Sequence, residues 1–504
     1  MKKITLLFTF LLAFSCIRAA QILIPMDEKQ TNHLKAYGIT YNVLDRGGKA
    51  QWLLNYRGGS FLFAYDKEDE LACLDKGITF EVLTDAMAKN ILDEFDDFKN
   101  NMKAIDMQRV PKIAVYTPPG ESMWDDAVTQ VLQYAGIPFD AVYDQDIMQG
   151  ALSKYDWLHL HHEDFTGQQG RFYSGFSKAQ WYINDVNRDQ QLANKCGFQK
   201  VSQLKLAVAL KIKNFIGNGG FMFAMCSATD SYDIALAADG VDICDNIYDG
   251  DPADANMNSK LNFENCLAFQ NFKLKTNPRE YEFSNIDTYE TRSHFGVNEK
   301  NDFFTLTPYS VTTDPVLAML TQNHVSKIKG FWGQTTGFDI PLIKSNVAIM
   351  GANMSIDEAR YIHGNFGKGM WTYYGGHDPE DYQHRVGETA TDLSRFPNSP
   401  GYRLILDNIL FPSTQSQQSI AASFSAYPSP ANTQLNIQYN ISETTANAVV
   451  RVYDVSGKEQ LKEEIIPGNS THVLDVSALA PGMYLWRIES GDAILHSDKF
   501  FIVR

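Results

Sequence analysis

Apolar and polar positions alternate with two different periods along the chain, and the longest regular stretch lies between residues 111 and 412. Four short apolar runs in its first half predict β-strands, at 112–116, 139–143, 157–161 and 221–225. Between the first two runs, apolar residues recur every three or four positions, which predicts an amphipathic helix; they are Trp124, Ala127, Val128, Val131, Leu132 and Ala135. Strands that alternate with helices are typical of a parallel sheet covered on both faces. We therefore predict an α/β domain at 111–412 with a long insertion at about 240–330.

Two shorter regions flank this domain. Residues 21–110 show a strand, a helix and a strand in that order, which predicts either a small α/β lobe or an extension of the next sheet. A polar linker at 413–424 leads into a C-terminal region of short alternating strands, separated by turns such as Pro481-Gly482. Short strands at regular spacing predict an all-β sandwich at 425–504.

The N-terminus predicts export. Lys2-Lys3 precedes an apolar run at 6–17, and Ala19-Ala20 follows it, which is typical of a secretory signal peptide over residues 1–20. No later run approaches the ~20 apolar residues of a membrane-spanning helix, so we expect no transmembrane segment in the mature chain.

Composition and cysteine usage narrow the class of partner. The chain has 44 basic and 60 acidic residues, a net charge of −16, and such a surface repels nucleic-acid phosphates. Nucleic acid is therefore excluded as a partner.

Export permits disulfides, and Cys244 with Cys266 is a candidate local bridge, although spacing alone does not decide the pairing.

The C-terminal region resembles a known targeting module. Its motifs, in order, are Tyr427-Pro428-Ser429-Pro430-Ala431, Asp454-Val455-Ser456-Gly457-Lys458, Leu479-Ala480-Pro481-Gly482-Met483-Tyr484 and Lys499-Phe500-Phe501-Ile502-Val503-Arg504. Their order and spacing resemble the C-terminal sorting domain of the type IX secretion system. The resemblance implies passage through the periplasm, handling by the type IX machinery, and then secretion or attachment to the outer surface.

Cys226 is the first candidate for chemistry. It ends the apolar strand predicted at 221–225, small residues follow it, and a helical pattern begins directly afterwards. A cysteine at a strand-to-helix turn lies near free backbone N–H groups and a helix N-terminus, which stabilise a thiolate and an oxyanion. A general base should come from a later strand end, and His377 follows such a strand at 369–376. Cys226 and His377 are therefore predicted to share one site.

With these residues in place, the domain resembles the class I glutamine amidotransferase-like fold, which has a flavodoxin-like parallel sheet. The resemblance implies Cys226 as nucleophile, His377 as base and Glu380 as the carboxylate that orients it. It also implies an oxyanion hole formed by the N–H of Ser227 and one from the 162–167 loop. Three departures from the family pattern bear on these roles: Ala-Met-Cys-Ser-Ala at the turn, Asp378 inserted before Pro379-Glu380, and no glycine-proline turn after the third strand.

The segment after the strand at 157–161 is dense in polar groups. We expect these to form the substrate or oxyanion pocket together with Asp378; they are His161, His162, Glu163, Thr166 and Gly167. His159 and His161 share a strand face and suggest a metal site, but no zinc-binding spacing supports one, so pocket lining is preferred and no metal or cofactor is assigned.

Two further polar groups leave alternatives open. An acidic stretch predicts either a solvated loop or a calcium site without EF-hand spacing; its members are Asp239, Asp242, Asp245, Asp249, Asp251 and Asp254. His384 and Arg385 either bind a substrate carboxylate or lie on the surface.

Segments of the N-terminal and central regions, for example Leu53-Leu-Asn-Tyr-Arg-Gly-Gly-Ser, also resemble secreted proteins labelled asparagine synthetase B. That activity needs a Ser-Gly-Gly-x-Asp-Ser loop and an N-terminal catalytic cysteine, and the sequence has neither. We therefore expect an exported cysteine hydrolase acting on an amide or related acyl bond. The alternative is a non-catalytic surface protein that binds a small polar or peptide ligand in the same cleft.

Overall fold

A computed structural model of the chain describes residues 21–118, 126–311, 315–383, 385, 388–414, 425–427, 431–441, 448–454, 457–466, 468–491 and 493–502. The predicted signal peptide, His384, most of the linker and parts of the C-terminal motifs lie outside these residues. The chain divides into two compact units, Met1–Thr414 and Gln415–Arg504.

Residues 21–107 build a sheet of their own. It is antiparallel, with strand order β4-β1-β3-β2-β5. The strands are β1 (Gln21–Ile24), β2 (Ala50–Leu54), β3 (Ser60–Ala64), β4 (Glu81–Leu83) and β5 (Lys103–Met107), and the helices are α1 (His33–Asp45), α2 (Lys67–Asp75) and α3 (Asp85–Asp93). This region is therefore a separate sheet and not an extension of the next one.

A ten-stranded sheet dominates the rest of the first unit. Its order is β11-β10-β13-β14-β15-β9-β8-β6-β7, and β12 pairs with β14. The strands are β6 (Ile113–Tyr116), β7 (Asp140–Val142), β8 (Trp157–Leu160), β9 (Phe221–Met225), β10 (Phe303–Leu306), β11 (Lys327–Lys329), β12 (Phe338–Asp339), β13 (Ala348–Asn353), β14 (Glu358–Phe366) and β15 (Gly369–Tyr374).

The helices of this region follow the strands in chain order. They are α4 (Ala127–Ala135), α5 (Asp144–Met148), α6 (Tyr173–Phe176), α7 (Gln180–Lys195), α8 (Val201–Gly217), α9 (Ser227–Ala237), α10 (Asn246–Asp249), α11 (Tyr289–His294), α12 (Pro315–Ala318) and α13 (Pro400–Leu410). The amphipathic pattern at 127–135 forms α4, and the apolar positions of α8 face the core.

The prediction of a parallel sheet is wrong for half of it. Strands β7, β6, β8, β9 and β15 are parallel neighbours in that order, whereas β10 to β14 pair antiparallel. The reason is the connection length, because only two residues join β14 to β15, and a parallel crossover needs a dozen or more. Strands β10 to β14 thus extend the sheet at one side in antiparallel pairing.

One apolar core joins the N-terminal sheet to the larger one, and it includes Trp52 and Leu404. The buried Arg403 of α13 crosses this junction: it donates to the Tyr37 hydroxyl at 2.9 Å and to the Met26 carbonyl at 2.9 Å. Since these partners belong to the first 60 residues, the two sheets of this unit are held by polar bonds as well as by apolar packing.

The second unit contains two antiparallel sheets that share an apolar core around Trp486. One sheet has the order β16-β17-β20 and the other β19-β18-β21-β22. The strands are β16 (Ser425–Tyr427), β17 (Gln434–Ile441), β18 (Ala448–Asp454), β19 (Glu459–Glu464), β20 (Gly468–Asp475), β21 (Gly482–Ser490) and β22 (Ala493–Ile502).

The candidate bridge between Cys244 and Cys266 is not formed. Both are buried free thiols. Cys244 Sγ donates to the Thr166 carbonyl and Cys266 Sγ donates to the Asp233 carbonyl, each at 3.3 Å. Each thiol is therefore satisfied by a backbone carbonyl rather than by a disulfide.

Part of the acidic stretch is ion-paired. Lys200 Nζ lies 2.5 Å from Asp242, 3.0 Å from Asp249 and 2.5 Å from Asp251. A lysine therefore neutralises three of these carboxylates.

Candidate functional site

Cys226 lies at a strained turn between β9 and α9. Its backbone has φ 49° and ψ −139°, a region that residues with a Cβ rarely adopt. Two neighbouring strand ends hold it there: Cys226 N–H donates to the Gly376 carbonyl at 3.2 Å, and Ala228 N–H donates to the His161 carbonyl at 2.9 Å. The apolar strand followed by small residues thus forms the predicted turn.

Backbone N–H groups surround the thiol. The N–H of Gln334 donates to Cys226 Sγ at 3.1 Å, and those of Thr335 and Ser227 also hydrogen-bond to it. Burial nevertheless outweighs these donors and raises the pKa of the Cys226 thiol to about 11. Cys226 is therefore a protonated thiol at neutral pH, not the stabilised thiolate that the turn alone suggests.

His377 is fixed directly beside this turn. The backbone N–H of His377 donates to the Trp332 carbonyl at 2.8 Å. Gly375 and Gly376 precede it because a Cβ would lie 2.4 Å from the Thr336 carbonyl oxygen at the first position and 2.5 Å from the Phe331 ring at the second. The glycine pair therefore brings His377 close to the segment that binds Cys226.

A buried carboxylate that sequence reasoning missed holds the neighbouring histidines. Asp126 Oδ2 lies 2.9 Å from His159 Nε2 and 3.0 Å from His161 Nδ1. Although burial raises its pKa, these two imidazoles outweigh burial and hold the pKa of Asp126 well below its usual range. The His161 ring in turn lies 4.3 Å from the His377 ring, centroid to centroid. Asp126 also caps α4, by accepting from Thr129 N–H, and a capping aspartate was the one available sequence signal.

The predicted orienting residue, Glu380, makes its hydrogen bond elsewhere. It bonds to Ser399, and burial raises the pKa of its carboxyl. Asp378 closes the turn after His377, since it accepts from Glu380 N–H at 2.9 Å and from the Thr391 hydroxyl at 2.6 Å. The role assigned to Glu380 stays a prediction.

The remaining predicted residues fall into two groups. His162, Glu163 and Gly167 line the same cavity as Cys226 and His377. Ser227 and Thr166 are buried: Ser227 begins α9, and the Thr166 hydroxyl donates to Asp164 at 2.6 Å.

Two buried aspartates, Asp230 and Asp287, bond to residues 335 and 336, next to the backbone that binds the Cys226 thiol. Asp230 accepts from the Thr335 hydroxyl at 2.7 Å, and Asp287 accepts from Thr336 N–H at 3.2 Å. Burial raises the pKa of Asp230 to about 7 and that of Asp287 well above its usual range. These carboxyls fix the orientation of the Gln334–Thr335 backbone. Sequence reasoning missed them, although Asp230 lies four residues, one helical turn, after Cys226.

Cys226 and His377 open into a cavity of about 590 Å³. Besides the residues named above, its walls carry aromatic rings and both signs of charge. The aromatic residues are Tyr143, Phe172, Trp181, Tyr182, Tyr281 and Trp332, and the charged ones are Asp164, Asp185, Arg188, Asp189, Lys205 and Arg385. A volume of this size suits a small organic ligand.

Comparison with known proteins identifies the second unit. Residues 425–503 match the family described as secretion system C-terminal sorting domain. This unit is a sorting domain. The predicted resemblance is confirmed for this region: the domain implies handling by the type IX machinery, and the protein is exported and attached to or released at the cell surface. Among the helices of the described residues, none has the length and apolar character to cross a membrane.

The similarities to curated proteins and to solved structures are weak. No curated protein matches the chain. A cytoplasmic protein of Salmonella typhimurium matches with 8% identity over 60% of this chain and 98% of that one, at a TM-score of 0.28. A β-galactosidase from Bacillus circulans sp. alkalophilus matches with 10% identity over 73% of this chain and 41% of that one, at 0.25. An immunoglobulin-like protein from Pseudomonas aeruginosa matches with 9% identity over 16% and 91%, at 0.13. At these TM-scores none of them carries a conclusion.

Replacing Cys226 tests the strain at the turn. Cys226→Gly should be more stable than Cys226→Ala by about 1–3 kcal/mol, because glycine adopts φ 49° and ψ −139° without the Cβ clash. The comparison is made by denaturant unfolding of the two variants, which differ by one methyl group. An alanine variant equal to or more stable than the glycine variant would mean that the turn is unstrained.

The raised pKa predicts how the thiol reacts. Alkylation of Cys226 by iodoacetamide should be slow at pH 7 and rise about tenfold per pH unit up to pH 9, since the thiolate fraction grows in that proportion below a pKa of about 11. The rate is measured by mass spectrometry of the peptide that contains Cys226, with free cysteine, of pKa about 8.5, as the reference. A rate that levels off near pH 7 would show a stabilised thiolate and contradict the burial argument.

Proposed function

We propose that this exported protein is a cysteine-dependent hydrolase of an amide or related acyl bond, with Cys226 as nucleophile and His377 as general base. The observation that carries the proposal is the turn at Cys226, where a strained backbone aims a thiol into a cavity that His377 also lines. Backbone strain of this kind is concentrated at functional sites. A cysteine that only fills the core has no need of it.

The fold supports the same proposal. The five parallel strands have the order β7-β6-β8-β9-β15, which in chain order is 2-1-3-4-5, the order of flavodoxin-like sheets. In such sheets ligands bind outside the carboxyl ends of the strands, and Cys226, His161 and His377 all follow such ends. We infer an amidotransferase-like scaffold from this order and from the positions of Cys226 and His377.

The reaction proceeds without a cofactor. His377 accepts the thiol proton as Sγ bonds to the acyl carbon, and the carbonyl electron pair moves to oxygen. The C–N bond then breaks, and the leaving nitrogen takes the proton from His377. Water hydrolyses the resulting thioester, which releases the acid and restores the thiol. Because the resting thiol is protonated, proton transfer accompanies attack.

Two features of the site stabilise the charges that develop. The N–H groups of Gln334, Thr335 and Ser227 converge on Sγ and lie beside the position of a forming oxyanion. Asp126, ionised and buried, is separated from His377 by the His161 ring and favours a positive charge on that side of the site. In this proposal Asp126 supplies the charge compensation that the family resemblance assigns to Glu380.

The cavity walls suggest the kind of substrate. The walls combine aromatic rings with charged groups, and one of these, the Arg385 guanidinium, belongs to an exposed residue. A small acylated or peptide-like molecule with an anionic end would satisfy both kinds of wall.

A second candidate function is ligand binding without catalysis. The observation that favours it is the raised pKa of Cys226, which leaves little thiolate at neutral pH. In that case the cavity would hold the same class of small polar or peptide ligand, and substitution of Cys226 would leave binding intact.

The two functions separate in a turnover experiment. Against panels of amides, N-acyl amino acids and short peptides, Cys226→Ala should lose at least about 10³-fold in kcat, and His377→Ala about 10²–10⁴-fold. Cys196→Ala, which alters a thiol outside the cavity, should keep wild-type turnover. Equal turnover by wild type and Cys226→Ala would refute the nucleophile assignment, and binding without turnover by either would favour the second function.

A further inference from the structure

We propose that His161, His162 and His377 form a binding site for a divalent transition-metal ion, with zinc as the preferred ion, at the wall of the cavity beside Cys226. One ring nitrogen from each of the three side chains lies within 4.8 Å of the other two. The three residues come from the ends of two different strands, so their convergence is a property of the fold and not of one local motif. It departs from the sequence-based expectation that no metal binds.

His161 is the centre of this arrangement. Its side chain is fully buried, and its Nδ1 lies 3.0 Å from Asp126 Oδ2, which leaves Nε2 for another partner. The contact of Nδ1 with Asp126 is at ion-pair distance and lacks hydrogen-bond geometry. Nε2 is also completely buried and has no hydrogen-bond partner among the described residues; the same holds for His162 Nδ1. Buried polar atoms in folded proteins are nearly always satisfied, so these two nitrogens indicate a bound species between them.

The chemistry of the group favours a metal ion. Neutral imidazole nitrogens are preferred ligands of zinc, copper, iron and nickel, whereas calcium and magnesium prefer oxygen. A ligating histidine usually donates its other ring N–H to a carboxylate, and Asp126 stands in that position behind His161. Three protein ligands also leave the fourth position of a tetrahedral ion open towards the cavity.

The three ring nitrogens lie at most about 1.5 Å too far apart to share one zinc ion. Ring nitrogens that share a tetrahedral zinc at about 2.0–2.1 Å lie about 3.3 Å apart, against the 4.8 Å limit observed here. The His161 and His377 rings already pack 4.3 Å apart, and the His161 and His162 rings 5.1 Å apart, centroid to centroid.

Metal binding has a consequence for the proposed reaction. A zinc ion on His377 would occupy the lone pair that accepts the thiol proton. The zinc-loaded protein should therefore be inactive and the zinc-free protein active. This consequence rests on the proposed function, whereas metal binding itself does not.

The test is isothermal titration of the full mature chain with zinc chloride, after treatment with EDTA and buffer exchange. We expect one zinc per chain, with at least about tenfold weaker binding for His161→Ala and His162→Ala, and about 10–100-fold weaker binding for Asp126→Asn. Because His161 is fully buried, circular dichroism checks each fold, and the partly exposed His162 provides the safer variant. Cobalt(II) should give the intense visible bands of a four-coordinate ion.

The controls decide between the three-histidine site and other binding. His294→Ala removes an exposed histidine outside the cluster and should bind zinc like the wild type. Cys226→Ala should also retain zinc, and a loss there would overturn the assignment of three histidine ligands. No stoichiometric binding by the wild type, or unchanged binding by a folded His162→Ala variant, would overturn the proposal. Turnover by the zinc-free protein is measured separately, so a failed hydrolase proposal leaves the zinc result interpretable.

Discussion

The backbone turn at Cys226 is the constraint on which the site depends. A residue with a Cβ adopts φ 49° there only because β9 is held between β8 and β15 and because the strand ends on both sides bind the turn. The carbonyls that bind it belong to His161 and Gly376. The hydrogen bonds that maintain the strain therefore also place the histidines, so the turn and its polar neighbours form one unit.

Burial determines the electrostatics of this unit. It raises the pKa of Cys226 to about 11 and that of Asp230 to about 7, so both groups are largely or partly protonated at neutral pH. Asp126 is the exception, since its two histidine partners outweigh burial and keep it ionised. The site thus combines a neutral nucleophile with a strongly held negative charge behind the histidines, an arrangement suited to proton transfer during attack.

Local patterns in the sequence predict only part of this arrangement. Short apolar runs locate β6, β8 and β9, and the strand-to-helix turn identifies Cys226, because these features depend on neighbouring residues. The Gln334 N–H that contacts Cys226 Sγ is 108 positions away along the chain, and the sequence around Cys226 does not predict this contact. The antiparallel pairing of β10 to β14 likewise depends on long-range packing. The same is true of Cys244 and Cys266, which stay free thiols bonded to different carbonyls. The sorting domain was recognisable because its motifs recur in fixed order.

The most direct test of the nucleophile assignment is capture of the acyl-enzyme. The full mature chain is incubated with a panel of N-acyl amino acid nitroanilides, quenched in acid within seconds, and digested for mass spectrometry. The nucleophile assignment predicts an acyl thioester on Cys226 and on none of Cys73, Cys196, Cys244 and Cys266, with no such adduct in Cys226→Ala. Substrate turnover accompanied by an acyl group on another residue, or undiminished in Cys226→Ala, would contradict it.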